Sequence, residues 1–267
     1  MSTKKIKKNY FKIIYIENSV AWLPSVARTI QEDGGERMKD FDCVDYVITH
    51  KPHPIRVDDM YRKLCVGGYY DDISASETEG KNIAEYNDRL NELTGLYWMW
   101  KNTDSAYIGL SHYRRFFDNG GRLDKATAGW ILTDGGYDII LSQKTSIPWS
   151  LEYHINKRCG GFFSQAVKES IIRAMEKHQP DYVETFRSVL AWKWMYICNM
   201  FVTRREIMNQ YCEWLFSFIL EAADSVDVSQ ATETEKRTAG FYGEILLTVW
   251  MEKHPEMKIY DMPIMMT

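Results

Sequence analysis

The chain has 267 residues, of which 45% are hydrophobic and 26% are charged, and its formal net charge is −4. This length suits one large α/β domain or two small ones. The near-balanced charge leaves no electrostatic footprint of nucleic-acid binding, so no nucleic-acid partner is expected.

The composition also argues against membrane-spanning and secreted proteins. The apolar runs fall short of the ~20 residues of a transmembrane helix, and the basic start of the chain lacks the apolar region of a signal peptide. The five cysteines are odd in number and form no C-x-x-C pair. We therefore expect reduced, mostly buried thiols in a cytoplasmic protein, with no zinc site.

The first half of the chain begins with a basic start, a mixed apolar segment and a Gly-Gly loop. We interpret residues 1–42 as an N-terminal extension packed on a main domain of residues 43–267. "CVDYVITHK" (43–51) predicts a strand, and "VGGYYDDISASETEG" (66–80) is typical of a loop. "NDRLNELTGLYWMWKN" (87–102) carries apolar residues at helical spacing and predicts one helix.

The second half alternates strands and helices. The predicted strands are 107–110, 137–143, 194–203 and a final edge strand near the end of the chain. The predicted helices are 164–180, 204–224 and 240–254, the last introduced by Gly243 and Glu244. Because few hairpin signals occur, the fold class is predicted to be α/β, with a mostly parallel Rossmann-type sheet flanked by helices on both faces.

In such a sheet, ligands bind outside the carboxyl ends of the strands. The polar residues at these positions are Thr49, His50 and Lys51 after one strand, and His112, Tyr113, Arg114 and Arg115 after another. Arginine pairs bidentately with phosphate oxygens and stays charged, so this cluster predicts an anion pocket. Surface ion pairing is the alternative for the arginines.

Two further features allow two interpretations each. Asn199 interrupts an apolar run, and its amide can contact a sugar hydroxyl or bond to nearby backbone. Asp71 and Asp72 can hold a hard cation with substrate phosphates, or can serve as turn residues. The sequence contains no Walker A motif, no G-x-G-x-x-G, no H-E-x-x-H and no G-x-S-x-G. P-loop and dinucleotide-dependent enzymes therefore lose their main support.

Several stretches together resemble one bacterial family, the capsular and exopolysaccharide glycosyltransferase-like proteins known as domain of unknown function 4422. The resemblance spans residues 43–265. It is carried most specifically by "ELTGLYWMWKN" with "GLSHYRRFF", and by "NMF" followed by "YCEWLF". The segment between Asp72 and Asn91 departs from the family pattern, with Lys81 to Ile83 as a remnant of its usual turn. Residues 1–42 lie outside the resemblance.

The resemblance implies a GT-A-like glycosyltransferase that uses a nucleotide sugar, and some relatives are implicated in galactofuranose transfer from UDP. GT-A enzymes usually hold a metal with Asp-x-Asp after a central strand, and here His112 to Arg115 follow instead. We therefore expect the basic cluster and Lys51 to bind the donor diphosphate, with no metal site among the predicted residues. Asn199 is assigned to donor binding. Asp71, Asp72, Trp98 and Gly243 are assigned to the acceptor or sugar pocket.

Glu244 is the predicted catalytic base of an inverting transfer, because such enzymes often carry an acid at the start of a late helix. No cofactor is expected beyond the UDP-sugar, and the need for a divalent metal is left open. The acceptor is expected to be a surface polysaccharide or lipid-linked glycan, with peripheral contact to the inner membrane as one option. The alternative function is a non-catalytic nucleotide- or carbohydrate-binding module. A phosphate-ester hydrolase using His112 and the two aspartates is less favoured.

Overall fold

The structure is a computed structural model that describes residues 41–267. The predicted N-terminal extension therefore lies outside the described residues, apart from Phe41 and Asp42. Within the described part, no helix combines the length and apolarity needed to cross a membrane.

A nine-stranded sheet forms the centre of the described chain, with the main strand order β10–β6–β9–β4–β1–β2–β3. Strands β5 and β11 pair with each other, and β5 also pairs with β4. A separate two-stranded ribbon joins β7 and β8. The strands are β1 (Cys43–Thr49), β2 (Tyr61–Cys65), β3 (Ala75–Ser76), β4 (Tyr107–His112), β5 (Arg115–Phe117), β6 (Ile139–Ser142), β7 (Thr145–Ser146), β8 (Trp194–Met195), β9 (Phe201–Arg204), β10 (Ile259–Met262) and β11 (Ile264–Met266).

Among the described residues, helices lie in four of the ten connections between successive strands, whereas the parallel neighbours β1, β2 and β3 follow one another through loops. The α-helices are α1 (Asn87–Leu90), α2 (Leu93–Asn102), α3 (Lys125–Leu132), α4 (Leu151–Cys159), α5 (Gly161–His178), α6 (Val183–Leu190), α7 (Arg205–Phe216), α8 (Ile219–Asp224), α9 (Glu233–Lys236) and α10 (Thr238–Glu252). Short 3₁₀ helices cover Ala84–Tyr86 and Pro180–Tyr182.

The sheet is mostly parallel, which confirms the predicted fold class. Strand β1 runs parallel to both β2 and β4, and β10 runs parallel to β6. Off the main strand order, β5 is antiparallel to both β4 and β11. Along the main strand order, β9 is the exception, because it lies antiparallel between β4 and β6. The start of β9 therefore lies at the same edge of the sheet as the carboxyl ends of β1, β4 and β6.

Helices cover both faces of the sheet, as predicted. Successive side chains of a strand point to opposite faces, and the neighbours Ile48 and Val47 accordingly belong to different apolar clusters. Ile48 packs in the larger cluster, with α2, α7 and α10. Val47 packs in the smaller one, with α3. The central strands are thus buried on both sides, which explains their continuous apolar runs.

Three predicted elements are divided in the structure. The strand predicted over 194–203 is split into β8 and β9, because Cys198 and Asn199 adopt left-handed backbone conformations with φ of 67° and 50°. The helix predicted over 87–102 breaks at Asn91, which has φ of 53°. The helix predicted over 204–224 ends at Phe216 and restarts at Ile219.

The last long helix also differs from its predicted start. Helix α10 begins at Thr238, so Glu244 is its seventh residue rather than a residue of its first turn. The helix N-terminus therefore does not stabilise the Glu244 carboxylate, because that effect fades beyond the first turn. The final edge strand is found as β10.

Candidate active site

The carboxyl ends of β1 and β4 meet around the ring of Tyr113, which is buried. The rings of His50 and His53 stand edge-on to it, at centroid distances of 5.3 and 5.1 Å. The Nζ of Lys51 lies 5.5 Å from the ring centroid, and the Cζ of Arg114 lies 4.8 Å from it. We call these five residues the Tyr113 cluster. The fold thus brings together two of the predicted strand ends, and their role in donor binding stays a prediction.

The charges of this cluster act on each other. The pKa of His50 is lowered by burial first and then by the positive charges of Lys51, Arg237 and Arg114. Because the imidazole of His50 is neutral and the side chains of Lys51 and Arg114 are charged, the electrostatic potential at the cluster is positive near neutral pH. Thr49 does not contribute, because its buried hydroxyl donates to the carbonyl of Lys51 at 2.6 Å. It shapes the turn rather than a ligand pocket.

A second centre forms at the turn that precedes β9, where one residue connects the predicted site to α10. The Nε2–H of His112 donates to the carbonyl of Cys198 at 2.6 Å, which leaves the lone pair of the neutral ring on Nδ1. The backbone N–H of Cys198 donates to the Glu244 carboxylate at 3.3 Å. The structure therefore brings His112 and Glu244 together through Cys198.

The next residue of the turn holds another carboxyl group. The Nδ2 of Asn199 donates to Oε1 of Glu92 at 3.2 Å, and Asn199 itself is 0% exposed. Its Oδ1 is buried without a partner among residues 41–267. Asn199 thus lies at the site, but in a turn rather than inside a strand.

Glu92 and Glu244 form the acidic part of the site. Burial raises the pKa of both, and the neighbouring Glu92 further raises that of Glu244. The guanidinium of Arg158 opposes both increases, and Arg237 acts in the same sense on Glu92. A carboxyl group with a raised pKa is a stronger base than an exposed one, as proton transfer near neutral pH requires.

Two arginines, Arg114 and Arg115, follow His112 in the chain. Arg115 pairs with His112 in the antiparallel contact of β4 and β5, and it is half-buried, whereas Arg114 is exposed. The pKa of His112 is lowered mainly by burial, with Arg115 the largest charge contribution. Arg115 therefore acts more strongly on His112 than Arg114 does, and Arg114 belongs to the Tyr113 cluster.

Two glycines bring α10 close to the start of α2. A Cβ on Gly243 would lie 2.6 Å from Cδ1 of Leu93, and one on Gly240 would clash with the Asn91 amide. Gly243 therefore serves close helix packing rather than the predicted sugar pocket. Because Glu244 follows Gly243 and Glu92 directly precedes Leu93, this packing brings the part of α10 that carries Glu244 against the start of α2.

The sequence profile of the family described as "Domain of unknown function (DUF4422)" matches residues 45–255. The chain belongs to this family. A comparison with curated protein sequences finds no match. Among solved structures, the chain is similar to the apo structure of WbbM, a bifunctional glycosyltransferase, with a TM-score of 0.71 and 23% sequence identity. The alignment covers 85% of this chain and 45% of that one, so the chain spans less than half of the WbbM structure. The likeness shows that this DUF4422 domain has the fold of a glycosyltransferase structure.

Some predicted site residues of the DUF4422 domain lie elsewhere. Trp98 is buried, packs edge-on against Tyr46 at 5.8 Å and donates to the carbonyl of Glu79 at 2.9 Å, so it belongs to the core. Asp71 forms an ion pair with Lys63, which lowers the pKa of Asp71 to about 2, and Asp72 is exposed. No group of three His, Cys, Asp or Glu side chains within residues 41–267 is arranged to hold a metal ion.

Glu92 was missed by the sequence reasoning. It lies inside the quoted "ELTGLYWMWKN" stretch, which was interpreted only as a helix. No sequence signal marks it, because the predicted helix over 87–102 runs through position 92. Only the structure shows that the chain breaks at Asn91 and that Glu92 precedes α2 without capping it.

Proposed function

We propose that this DUF4422 domain is an inverting glycosyltransferase that transfers a sugar from a UDP-sugar to a surface polysaccharide or lipid-linked glycan. The observation that carries the proposal is the pairing of two opposite charge centres at one edge of the sheet. The cationic Tyr113 cluster lies at the carboxyl ends of β1 and β4, where Arg115 follows it in the chain, and His112 at the end of β4 is connected to Glu244 through the two hydrogen bonds of Cys198. Transfer from a diphosphate donor requires both, an anion site and a base.

In the proposed reaction, Glu244 accepts the proton of the acceptor hydroxyl. The hydroxyl oxygen forms a bond to the anomeric carbon, and the bond from that carbon to the diphosphate oxygen breaks. The electron pair of that bond leaves with UDP, whose added negative charge is stabilised by Arg114, Arg115 and Lys51. Fixed cations aimed at a developing charge are the usual source of such stabilisation.

We propose that this transfer does not depend on a divalent cation. The residues that follow β4 are an imidazole, a phenol and two guanidiniums, a set suited to phosphate oxygens rather than to Mg²⁺ or Mn²⁺, which prefer oxygen ligands. Of the two other candidate ligands, Asp71 is paired with Lys63 and Asp72 is exposed. If a chelator abolished turnover and manganese restored it, this part of the proposal would fail.

The test of the function is UDP release from a panel of UDP-sugars, including UDP-galactofuranose, with polysaccharide and lipid-linked acceptors. Arg115→Gln is expected to weaken UDP binding by about 10-fold or more, the loss typical of a hydrogen bond to a charged group. Arg173→Gln, on the exposed surface of α5, is the matched control and should bind UDP as the wild type does. Glu244→Gln should bind UDP normally and lose about 100-fold or more in turnover.

The same assay tests the non-catalytic alternative. Tight binding of a UDP-sugar without UDP release, under every acceptor tried, would favour a binding module. The Tyr113 cluster and Arg115 suffice for binding, whereas the Glu244 carboxylate adds a function only if a proton is transferred. Wild-type turnover in Glu244→Gln would remove Glu244 from the mechanism.

Peripheral contact with an anionic membrane is part of the proposal for a lipid-linked acceptor. The surface that supports it is the start of α4, where Trp149 and Tyr153 are 43% and 50% exposed and in ring contact. The Nζ of Lys157 lies 4.1 Å from the Trp149 ring centroid. Aromatic and basic side chains together suit the headgroup region. Co-sedimentation with anionic but not neutral vesicles, weakened in Trp149→Ala, is expected.

A further inference from the structure

The turn at Cys198 and Asn199 forms hydrogen bonds with three titratable side chains. Cys198 binds His112 through its carbonyl and Glu244 through its N–H, and Asn199 binds Glu92 through its side chain. From this geometry we propose that Glu92 is a positioning residue for Glu244, the proposed base. Glu92 forms a carboxyl pair with Glu244 and keeps it able to take up the acceptor proton. The inference rests on the proposed function in assigning that proton to an acceptor.

The backbone around the pair is built to keep it together. Asn91 has φ of 53°, which ends α1 and lets α2 begin at a new angle with Glu92 at its start. Its side chain is held by Arg237, and Gly240 packs directly against it. Non-glycine residues adopt this backbone region at a cost, which the surrounding contacts must offset. Three such residues occur within the described chain, and they are Asn91, Cys198 and Asn199.

The amide of Asn199 supports a role for the bond to Glu92. Because its Nδ2 donates to the carboxylate, its Oδ1 stays buried without a partner within the described residues. An unsatisfied buried acceptor costs about 1–3 kcal/mol. The left-handed backbone at residue 199 favours asparagine in its own right, and the bond from its Nδ2 in addition fixes the orientation of the Glu92 carboxylate.

The charges that face the pair come from several elements. Arg158 of α4 faces both carboxyl groups, and Arg237 faces Glu92. Glu244 also faces His112 and the Cys198 thiol, which are neutral near pH 7 because burial lowers the pKa of the imidazole and raises that of the thiol. The negative charge of one carboxyl group disfavours ionisation of another one nearby. Glu92 therefore raises the pKa of the base, in the same direction as burial does.

The test is Glu92→Gln, which keeps the size of the side chain and an oxygen that can accept from Asn199 but removes the charge. The matched control is Glu85→Gln, which removes a charge from an exposed carboxyl group nearby in the chain. The acid limb of the pH profile of kcat/KM is expected to move to lower pH in Glu92→Gln and to stay in place in Glu85→Gln. An acid limb that coincides with that of the wild type would overturn the proposal.

A second measurement separates this inference from the proposed function. In protein labelled with ¹³C at the glutamate carboxyl groups, the titration of Glu244 can be followed by NMR without any substrate. It should move to lower pH in Glu92→Gln, and that of Glu92 should do so in Glu244→Gln, because coupling between two sites is reciprocal. Independent titrations would overturn the pair even if transfer is observed. Coupled titrations without any transfer would instead overturn the proposed function.

Discussion

Gly243→Ala tests whether the close approach of two helices creates the acidic part of the site. The new Cβ would lie 2.6 Å from Cδ1 and 3.3 Å from Cγ of Leu93. Carbon atoms in contact normally lie about 3.5–4.0 Å apart, so the overlap is about 1 Å. Helix α10 cannot move away freely, because Thr248 accepts a hydrogen bond from the backbone of Tyr196 and Gly240 is packed on Asn91.

Two effects of opposite sign determine the change in stability. Overpacking a core contact typically costs about 1–3 kcal/mol. Alanine in place of glycine inside a helix returns about 1 kcal/mol. The free energy of unfolding is therefore expected to fall by up to about 2 kcal/mol. Because Leu93 follows Glu92 directly, any relaxation of Leu93 also moves Glu92 relative to Glu244, so turnover should fall as well.

Urea unfolding and steady-state UDP release measure these two effects. Gly161→Ala is the matched control, because a Cβ there would meet open space at the start of α5. The control should be more stable than the wild type by about 0.4–1 kcal/mol, through the lower entropy of the unfolded chain. If Gly243→Ala were stabilised as much as the control and kept wild-type turnover, the packing argument would be refuted.

Three further substitutions test charges in the fold. Burial raises the pKa of Asp45 to about 7. Its contribution to the free energy of unfolding should therefore fall by up to about 4 kcal/mol as pH rises from about 4 to 7. In urea unfolding, the difference in free energy of unfolding between Asp45→Asn and the wild type should grow over that range. Glu244→Gln removes a carboxyl group whose pKa is raised, and it should increase the melting temperature at neutral pH by about 2–4 °C if the gain is about 1 kcal/mol. A lower melting temperature would contradict the burial argument. Asp71→Asn should leave UDP release unchanged, because Asp71 forms an ion pair with Lys63. A large loss of UDP release would show that Asp71 belongs to the site.

The parts of the fold that the sequence could predict are those with a local signal. The β-rich runs before Lys51 and His112 are buried on both faces, and such runs stand out against polar flanks. The rule that parallel strands present their carboxyl ends at one edge then predicted that Lys51 lies near the arginines that follow β4. That Arg114 is the one that shares the Tyr113 ring with Lys51 is known only from the structure.

Strand β2 and the turn at Cys198 carry no such signal. The β2 sequence, "YRKLC", contains two adjacent cations and little alternation, and it becomes a strand because it pairs in parallel with β1. Pairing with a distant segment overrides local propensity. Cysteine is not a typical residue of left-handed turns, so the apolar stretch from 194 to 203 predicted an unbroken strand.

The two glycines of α10 explain why its predicted start differs from the observed one. In sequence, Gly243 and Glu244 before an apolar run indicate the introduction of a helix, which the prediction placed within 240–254. In the structure, the spacing of three residues between Gly240 and Gly243 puts both on the face that meets Asn91 and Leu93, where any side chain would collide. Two glycines inside a helix lower its intrinsic stability by about 1 kcal/mol each. This cost accompanies the close packing that allows Glu244 to approach Glu92. The acidic part of the site therefore depends on two residues that contribute no side chain to it.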